Sequence, residues 1–159
     1  MNSDNNKIVS EFQIDDIDGL TDLIRHTIIT CYEGIYPPLA VKFFLEFHSK
    51  EKIAERVNSG KVLVIKNNEH IIATGALVDN EIYGVFVHPA HQKAGHGSRI
   101  MNSLEKIARE NKHHKIELSV SLTSKRFYEA RGYTIGEDRK IDVGDGQKLL
   151  YWAAEKLLL

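Results

Sequence analysis

Apolar positions along the chain repeat with two periods, and the change from one to the other divides it. Ile8 to Ile14 alternate apolar and polar, the pattern of a half-buried strand. Asp15 or Asp16 can then cap a helix in which Ile17, Leu20, Ile24, Ile28 and Cys31 share one face. Pro37-Pro38 interrupts it, because the residue before a proline avoids helical backbone. Leu39 to His48 resumes as an apolar, aromatic helix, and Ser49 can cap a further turn through Val57 that Gly60 ends. From Lys61 the period becomes two. Val62 to Lys66, Ile71 to Val78 and a segment beginning at Glu81 read as three strands. They are joined by a turn over Asn67-Asn68-Glu69-His70 and a hairpin turn at Asp79-Asn80. The helical period returns with Ile100, Met101, Leu104, Ile107 and Ala108 on one face. Lys115 to Val120 predicts a strand and Thr123 to Ala130 a short helix ending at Gly132. Tyr133 to Glu137 and Gln147 to Glu155 predict two last strands joined by a charged loop containing Gly144 and Gly146. Meander and crossover together predict a mixed sheet with helices on both faces.

A chain of 159 residues suits one domain over residues 1–159 with a single core. A net charge of −1 gives no basic footprint for nucleic acid. The single cysteine, Cys31, excludes an internal disulfide and fits a reducing compartment. Met1 to Lys7 are polar without a signal-peptide core, and the apolar run from Ile71 to Val78 is too short to span a bilayer, so a soluble cytoplasmic protein with no membrane partner is expected. Trp152 to Leu159 is apolar for a chain end and predicts docking on the sheet or contact between two subunits.

The chemistry concentrates between Glu81 and Ala108. Glu81-Ile82-Tyr83-Gly84-Val85-Phe86-Val87-His88-Pro89 is β-branched and aromatic up to a proline. A polar turn follows, then Gln92-Lys93-Ala94-Gly95-His96-Gly97-Ser98, with two glycines and no acid, then the helix. Such a loop turns tightly, lets a ligand approach the backbone and receives the positive end of the helix, which favours a phosphate. Ile100 stands where a dinucleotide fingerprint needs its third glycine, and a Walker Gly-Lys-Ser/Thr is absent.

Gln-x-x-Gly-x-Gly after a strand ending Val-x-Pro resembles the pyrophosphate loop of the GNAT superfamily of N-acetyltransferases. A second segment supports the resemblance: Phe127-Tyr128-Glu129-Ala130-Arg131-Gly132-Tyr133 is similar to the GNAT motif beside the coenzyme A arm. The predicted element order matches that family over nearly the whole chain. The resemblance implies an α/β (α+β) fold with a mixed, mostly antiparallel central sheet of about seven strands. It implies acetyl-CoA as acyl donor, with no metal, and a primary amine of a small molecule or peptide as acceptor, attacking directly in a ternary complex. A homodimer is a family expectation.

Carried onto this sequence, the loop Gln92, Lys93, Ala94, Gly95, His96, Gly97 and Ser98 holds the diphosphate. Val85, Phe86 and Val87 guide the pantetheine arm, with Gly84 permitting a bulge. Ser121, Ser124 and Phe127 flank the arm, two serines standing where the family often has Asn and Ala. Tyr128 occupies the position that protonates the leaving thiolate, and Glu81 the position of a base. By strand alternation Glu81 shares a face with Tyr83, Val85 and Val87; the other reading is a solvated charge after a hairpin. Glu33, Tyr36 and Tyr83 are the candidates for recognising the amine, from the segment Tyr32 to Pro38 and the central strand, with Arg139 to Gly146 as a second border. His96, between the glycines, either touches phosphate or packs away from it. His88, His91 and His96 cluster in sequence, but a metal would need an orienting shell as well. Cys31, on an apolar helical face, reads as inert. A non-catalytic acyl-CoA sensor or interaction module with this fold is the alternative, and an α/β binder of another phosphate ligand a third reading.

Overall fold

The switch of period at Lys61 is where helices give way to sheet. The structure, a computed structural model, describes residues 8–159. The polar stretch Met1 to Lys7, on which the expectation of no signal peptide rests, lies outside the described residues. In chain order the elements are β1 (Val9–Glu11), α1 (Ile17–Tyr32), α2 (Pro38–Phe47), α3 (Lys50–Ser59), β2 (Lys61–Asn67), β3 (His70–Val78), β4 (Glu81–Val87), α4 (His96–Glu110), β5 (Lys115–Val120), α5 (Lys125–Ala130), β6 (Thr134–Gly144) and β7 (Gln147–Leu157). Short 3-10 turns at Ile14–Asp16 and Pro89–His91 precede α1 and the glycine loop.

The strands form one sheet in the order β1-β2-β3-β4-β5-β7-β6. Every neighbouring pair is antiparallel except β4 and β5. One core packs around α4 and holds Ile100, Met101 and Leu104 against Ile72, Ile82 and Val120. The other packs beneath α1, α2 and α3 and holds Leu20, Ile28 and Ile53 against Val64 and Phe86. The mixed, mostly antiparallel sheet with helices on both faces is the expected architecture.

Several boundaries differ from the sequence reading, each for a local reason. The first strand stops at Glu11 because the chain turns into a capping box, in which the Asp16 carboxylate accepts from the Gln13 N–H at 2.8 Å. Asp16 is therefore engaged one turn early, also meets Lys66 at 2.7 Å, and makes no side-chain cap on α1. Ser49 does cap as expected, accepting from Lys52 N–H at 3.3 Å, but the turn it starts is a full helix. Gly60 ends α3 where a Cβ would sit 2.0 Å from the Leu77 carbonyl oxygen. The charged loop expected before the last strand is mostly strand: β6 runs on to Gly144, and only Asp145-Gly146 turn the hairpin. Charged residues there decorate an exposed sheet edge, so composition alone reads as loop. The apolar C-terminus docks: β7 lies between β5 and β6, and Leu158 is buried with its N–H on the His114 carbonyl at 2.8 Å.

Two features of β4 set up the site. Pairing with β3 slips between Thr74 and Ala76, so Gly84 and Val85 bulge opposite Gly75, with Gly84 at φ +60°. This corrects the expected alternation. Glu81 and Tyr83 stay together, but the bulge adds a residue, and Val85 and Val87 turn to the α4 core, away from Tyr83 and Phe86. Second, the parallel ladder to β5 contains only Glu81–Glu117 and Ile82–Leu118 among the described residues. Beyond Ile82 the two strands part, and a groove opens in the middle of the sheet.

Candidate active site

At one end of the groove the strand β4 runs into the glycine loop. Gly95 is the N-cap of α4 at φ +86°, in the left-handed region that glycine enters without strain. The first helical bond inside this cap is Arg99 N–H to Gly95 C=O at 3.0 Å, which leaves the N–H groups of the first turn facing outward. Gly97 is packed: a Cβ there would lie 3.3 Å from Phe127 Cζ and 3.6 Å from Val87 Cγ2. Gln92 braces the loop from behind by donating from Nε2 to the Val87 carbonyl at 3.1 Å, with Cys31 Sγ 3.7 Å away. Ala94 sits within the turn between Lys93, at φ +64°, and Gly95. Beside this turn is a cavity of about 600 Å³, lined by Gln92, Lys93, Gly95, His96, Gly97 and Ser98 on the loop and by Val85, Val87 and Phe127. The cradle fits a diphosphate: no acid lines the cavity, and a side chain at Gly97 would intrude on it.

His96 is not solvated. It is 1% exposed at the start of α4, with Nδ1 2.9 Å from Arg99 Nη1. Of the two sequence readings, contact with phosphate or packing away from it, the burial shows an imidazole packed into the start of α4. Arg99 itself was passed over, because its guanidinium belongs to the loop only through the helical turn that brings it back toward Gly95. His88 and His91 extend the line of imidazoles: His26 stacks on His88 at 5.0 Å, and His91 lies 6.4 Å from His96. Burial, His26 and His91 together hold the His88 pKa down. No group of three or more His, Cys, Asp or Glu among the described residues is arranged to hold a metal ion.

At the other end is a cavity of about 370 Å³. Glu81 lines it from the start of β4 and accepts from the Tyr83 hydroxyl at 2.6 Å. Burial and the Glu81 carboxylate push the Tyr83 pKa up to about 12, so the phenol keeps its proton and serves as donor. Across from them stands Tyr128 on α5, 7% exposed, its pKa driven far up chiefly by burial. A protonated phenol is therefore its state at any physiological pH. The short helix is held in place by the buried carboxylate of Glu105, which meets Arg131 at 3.1 Å and Lys156 at 2.9 Å. Ser121 and Ser124 join their hydroxyls at 2.9 Å on the β5–α5 turn and line the same cavity. The two cavities adjoin: Tyr32, Val85, Phe86, Ser124 and Tyr128 line both.

The amine-recognition candidates separate. Tyr83 lines the cavity, whereas Glu33 is exposed and lines neither one. Tyr36 is 4% exposed and occupied elsewhere, its hydroxyl donating to Leu150 C=O at 3.0 Å and accepting from Leu122 N–H at 2.8 Å. It ties β7 to the β5–α5 turn and offers nothing to a ligand. From the border Arg139 to Gly146, Ile141 reaches the cavity.

Sequence reasoning missed Phe43, Phe44 and Phe47, which line it from α2, and His48, which caps the end of that helix. His48 is buried with Nδ1 2.9 Å from Arg56 Nη1, and burial with the neighbouring guanidinium pulls its pKa down to about 3. The contact exists because Gly84 carries no side chain: a Cβ there would come within 3.4 Å of the imidazole and 3.1 Å of Arg56. The sequence signal was Gly84 inside a strand, read only as the place for a bulge and not as room for His48 and Arg56.

The fold has known counterparts. The model of the acetyltransferase (GNAT) domain matches residues 31–144. No curated protein matches the sequence. Among solved structures, a GCN5-related N-acetyltransferase of Rhodopseudomonas palustris superposes with a TM-score of 0.85 at 17% identity, covering 96% of each chain. The PaiA N-acetyltransferase of Thermoplasma acidophilum, in complex with coenzyme A, gives 0.77 at 19% identity, covering 96% of this chain and 99% of its own. YncA of Salmonella typhimurium, solved with its cofactor acetyl-CoA, gives 0.71 at 19% identity over 97% of this chain and 95% of its own. With the seven-stranded sheet parted at β4 and β5 and the family model spanning both motifs, the chain belongs to the GNAT acetyltransferases.

Proposed function

We propose that the protein transfers an acetyl group from acetyl-CoA to the primary amine of a small molecule or peptide, by direct attack with both bound. The observation that carries the reading is that Glu81 and Tyr128 line one cavity, and that this cavity opens into the loop cavity at Val85, Phe86, Ser124 and Tyr128. In this reading the amides of Gly95 to Ser98, with Lys93 and Arg99 beside them, hold the diphosphate. The open edge of β4 from Val85 to Val87 guides the pantetheine arm past Phe127 and Ser124. Acetyl-CoA supplies an activated thioester carbonyl.

The chain's own groups then divide the proton work. Glu81 takes the proton that an ammonium must lose before its nitrogen can attack, directly or through one water. The Tyr83 hydroxyl fixes the orientation of that carboxylate. A backbone N–H at the β4 bulge stabilises charge developing on the carbonyl oxygen. Tyr128 holds the proton that the departing sulfur takes up. No covalent enzyme intermediate is needed, and the buried imidazole of His48, bonded to Arg56, has no part in the transfer.

Amine-dependent release of free thiol from acetyl-CoA tests the reading. Glu81→Gln is expected to lower kcat by about 100-fold or more while acetyl-CoA binds as before. Tight CoA binding with no turnover on a broad amine panel would overturn catalysis.

A further inference from the structure

We infer that the acceptor is a monoamine carrying one apolar, ring-sized body, and that polyamines and aminoglycosides are rejected; the inference rests on the acetyl-transfer reading above.

The acceptor end has one fixed negative charge. Among its lining residues Glu81 is the sole carboxylate, and there is no lysine or arginine. One carboxylate matches one ammonium. Apolar side chains make up one side of the wall, Phe43, Phe44 and Phe47 from α2, Ile141 from β6 and Leu149 from β7, while the uncharged polar groups of Tyr83, Tyr128, Tyr151, Ser121 and Ser124 line much of the remainder. Phe43 and Phe47 stack at 6.0 Å with their planes 12° apart, and Phe47 lies 6.4 Å from Tyr83. Phe47 is 39% exposed at the rim, an aromatic surface that a bound apolar group would cover. At about 370 Å³ the cavity lies at the small end of the range that buries a drug-sized ligand.

Behind this wall sits a cation that further positive charge would have to approach. The Arg56 guanidinium lies 5.2 Å from the Phe47 ring centroid and 5.4 Å from that of Tyr83. It is 9% exposed, and no carboxylate lies within ion-pair distance of it among the described residues. Its hydrogen bonds go to His48 Nδ1 at 2.9 Å and the Phe47 carbonyl at 2.8 Å, both neutral acceptors. The charge thus has no ion-pair partner in contact, only the Glu55 carboxylate and the Tyr83 phenol acting on it through space, and it faces the back of rings that line the cavity. A second ammonium on the acceptor would lose its water against phenylalanine with a guanidinium behind it. An acceptor carboxylate gains little, since the two rings screen Arg56 and its bonds are spent.

The test compares kcat/KM for 2-phenylethylamine, spermidine and kanamycin, at saturating acetyl-CoA, in the full-length protein. 2-Phenylethylamine is expected to exceed both by at least about 10-fold, the discrimination expected of a wall that either buries a ring or strands a charge. Phe47→Ala is expected to raise KM for 2-phenylethylamine by about 5-fold or more with kcat little changed. Phe47→Glu is expected to shift the preference toward spermidine. Phe43→Ala, which leaves both rings under Arg56 in place, is expected to repeat the KM effect without removing an Arg56 contact. Equal or better turnover of spermidine or kanamycin, or an unchanged KM in both alanine variants, overturns this inference alone. Absence of turnover on every amine, with acetyl-CoA bound, overturns the acetyl-transfer reading and this inference with it.

Discussion

The two ends of the groove are built from different materials. At the loop end one wall is a contiguous stretch, residues 92–98, whose backbone is shaped by Gly95 and Gly97, set against side chains of α1, β4 and α5. At the other end, the proposed acceptor end, the wall is gathered from side chains of α1, α2, β4, β5, α5, β6 and β7. A ligand part common to every turnover can be met by groups that no substitution easily removes. A ligand part that varies between enzymes is met by side chains, each replaceable without loss of the fold. The bulge at Gly84-Val85 is the boundary, since there the strand changes which face it presents.

The largest break in this comparison is at the loop end. Gly97→Asp sets a carboxylate where a diphosphate would lie. At about 4 Å and an effective dielectric near 20 the repulsion is about 4 kcal/mol, roughly a 1,000-fold loss of affinity for CoA by calorimetry. The tip of the Phe127 ring must give by a few tenths of an ångström to admit the Cβ, and an acid in the first turn of a helix is favourable, so the fold should survive. CoA affinity unchanged in the folded variant would remove the diphosphate assignment. A smaller break lies at the junction. Tyr128→Phe removes one hydroxyl from a ring that is otherwise packed between Phe127 and Tyr133 at 5.0 and 5.5 Å. A free thiol is already a tolerable leaving group at pKa near ~8.5, so a fall in kcat of about 10-fold is expected, with acetyl-CoA affinity kept. Steady-state kinetics at saturating donor would separate the two effects, and an unchanged kcat would take Tyr128 out of the proton path.

The same contrast explains how much could be read in the chain before folding. The loop was legible because its meaning is local: two glycines, no acid, a strand before and a helix after. Tyr128 and Phe127 were legible for the same reason, as a short motif on one helix. The aromatic wall was not, because Phe43 and Phe47 read as the apolar face of an ordinary helix. Only the pairing of β6 with β7 brings Ile141 and Leu149 opposite them. Tyr36 misled in the opposite sense, since a tyrosine in a proline-rich turn looks available. The sequence cannot show that Leu122 and Leu150, far along the chain, claim its hydroxyl. The alternation of β4 failed through a single residue: Gly84 was marked as a place for a bulge, but a bulge also reverses the faces after it.

The smallest effect is silent at neutral pH and sharpens the comparison by acid. His48 belongs to the acceptor end, where burial and Arg56 hold its pKa at about 3 against 6.5 when unfolded. As pH falls below about 6.5 the unfolded chain takes up a proton that the folded chain refuses. Stability is therefore flat with respect to this group above pH 6.5 and declines from there toward pH 3. At pH 5 the loss is about 2 kcal/mol, or roughly 4–8 °C in Tm for a chain of this size. His48→Asn keeps an acceptor for Arg56 and does not titrate, so its Tm should fall less between pH 7.5 and pH 5 than that of the parent. Other groups contribute to both curves, and the difference between them isolates this one. Parallel curves would mean that the imidazole is not held neutral beside Arg56. The buried Arg56 cation bonded only to neutral acceptors, and the preference for a single ammonium argued from it, would then lose their footing at this end while the loop end stood unaffected.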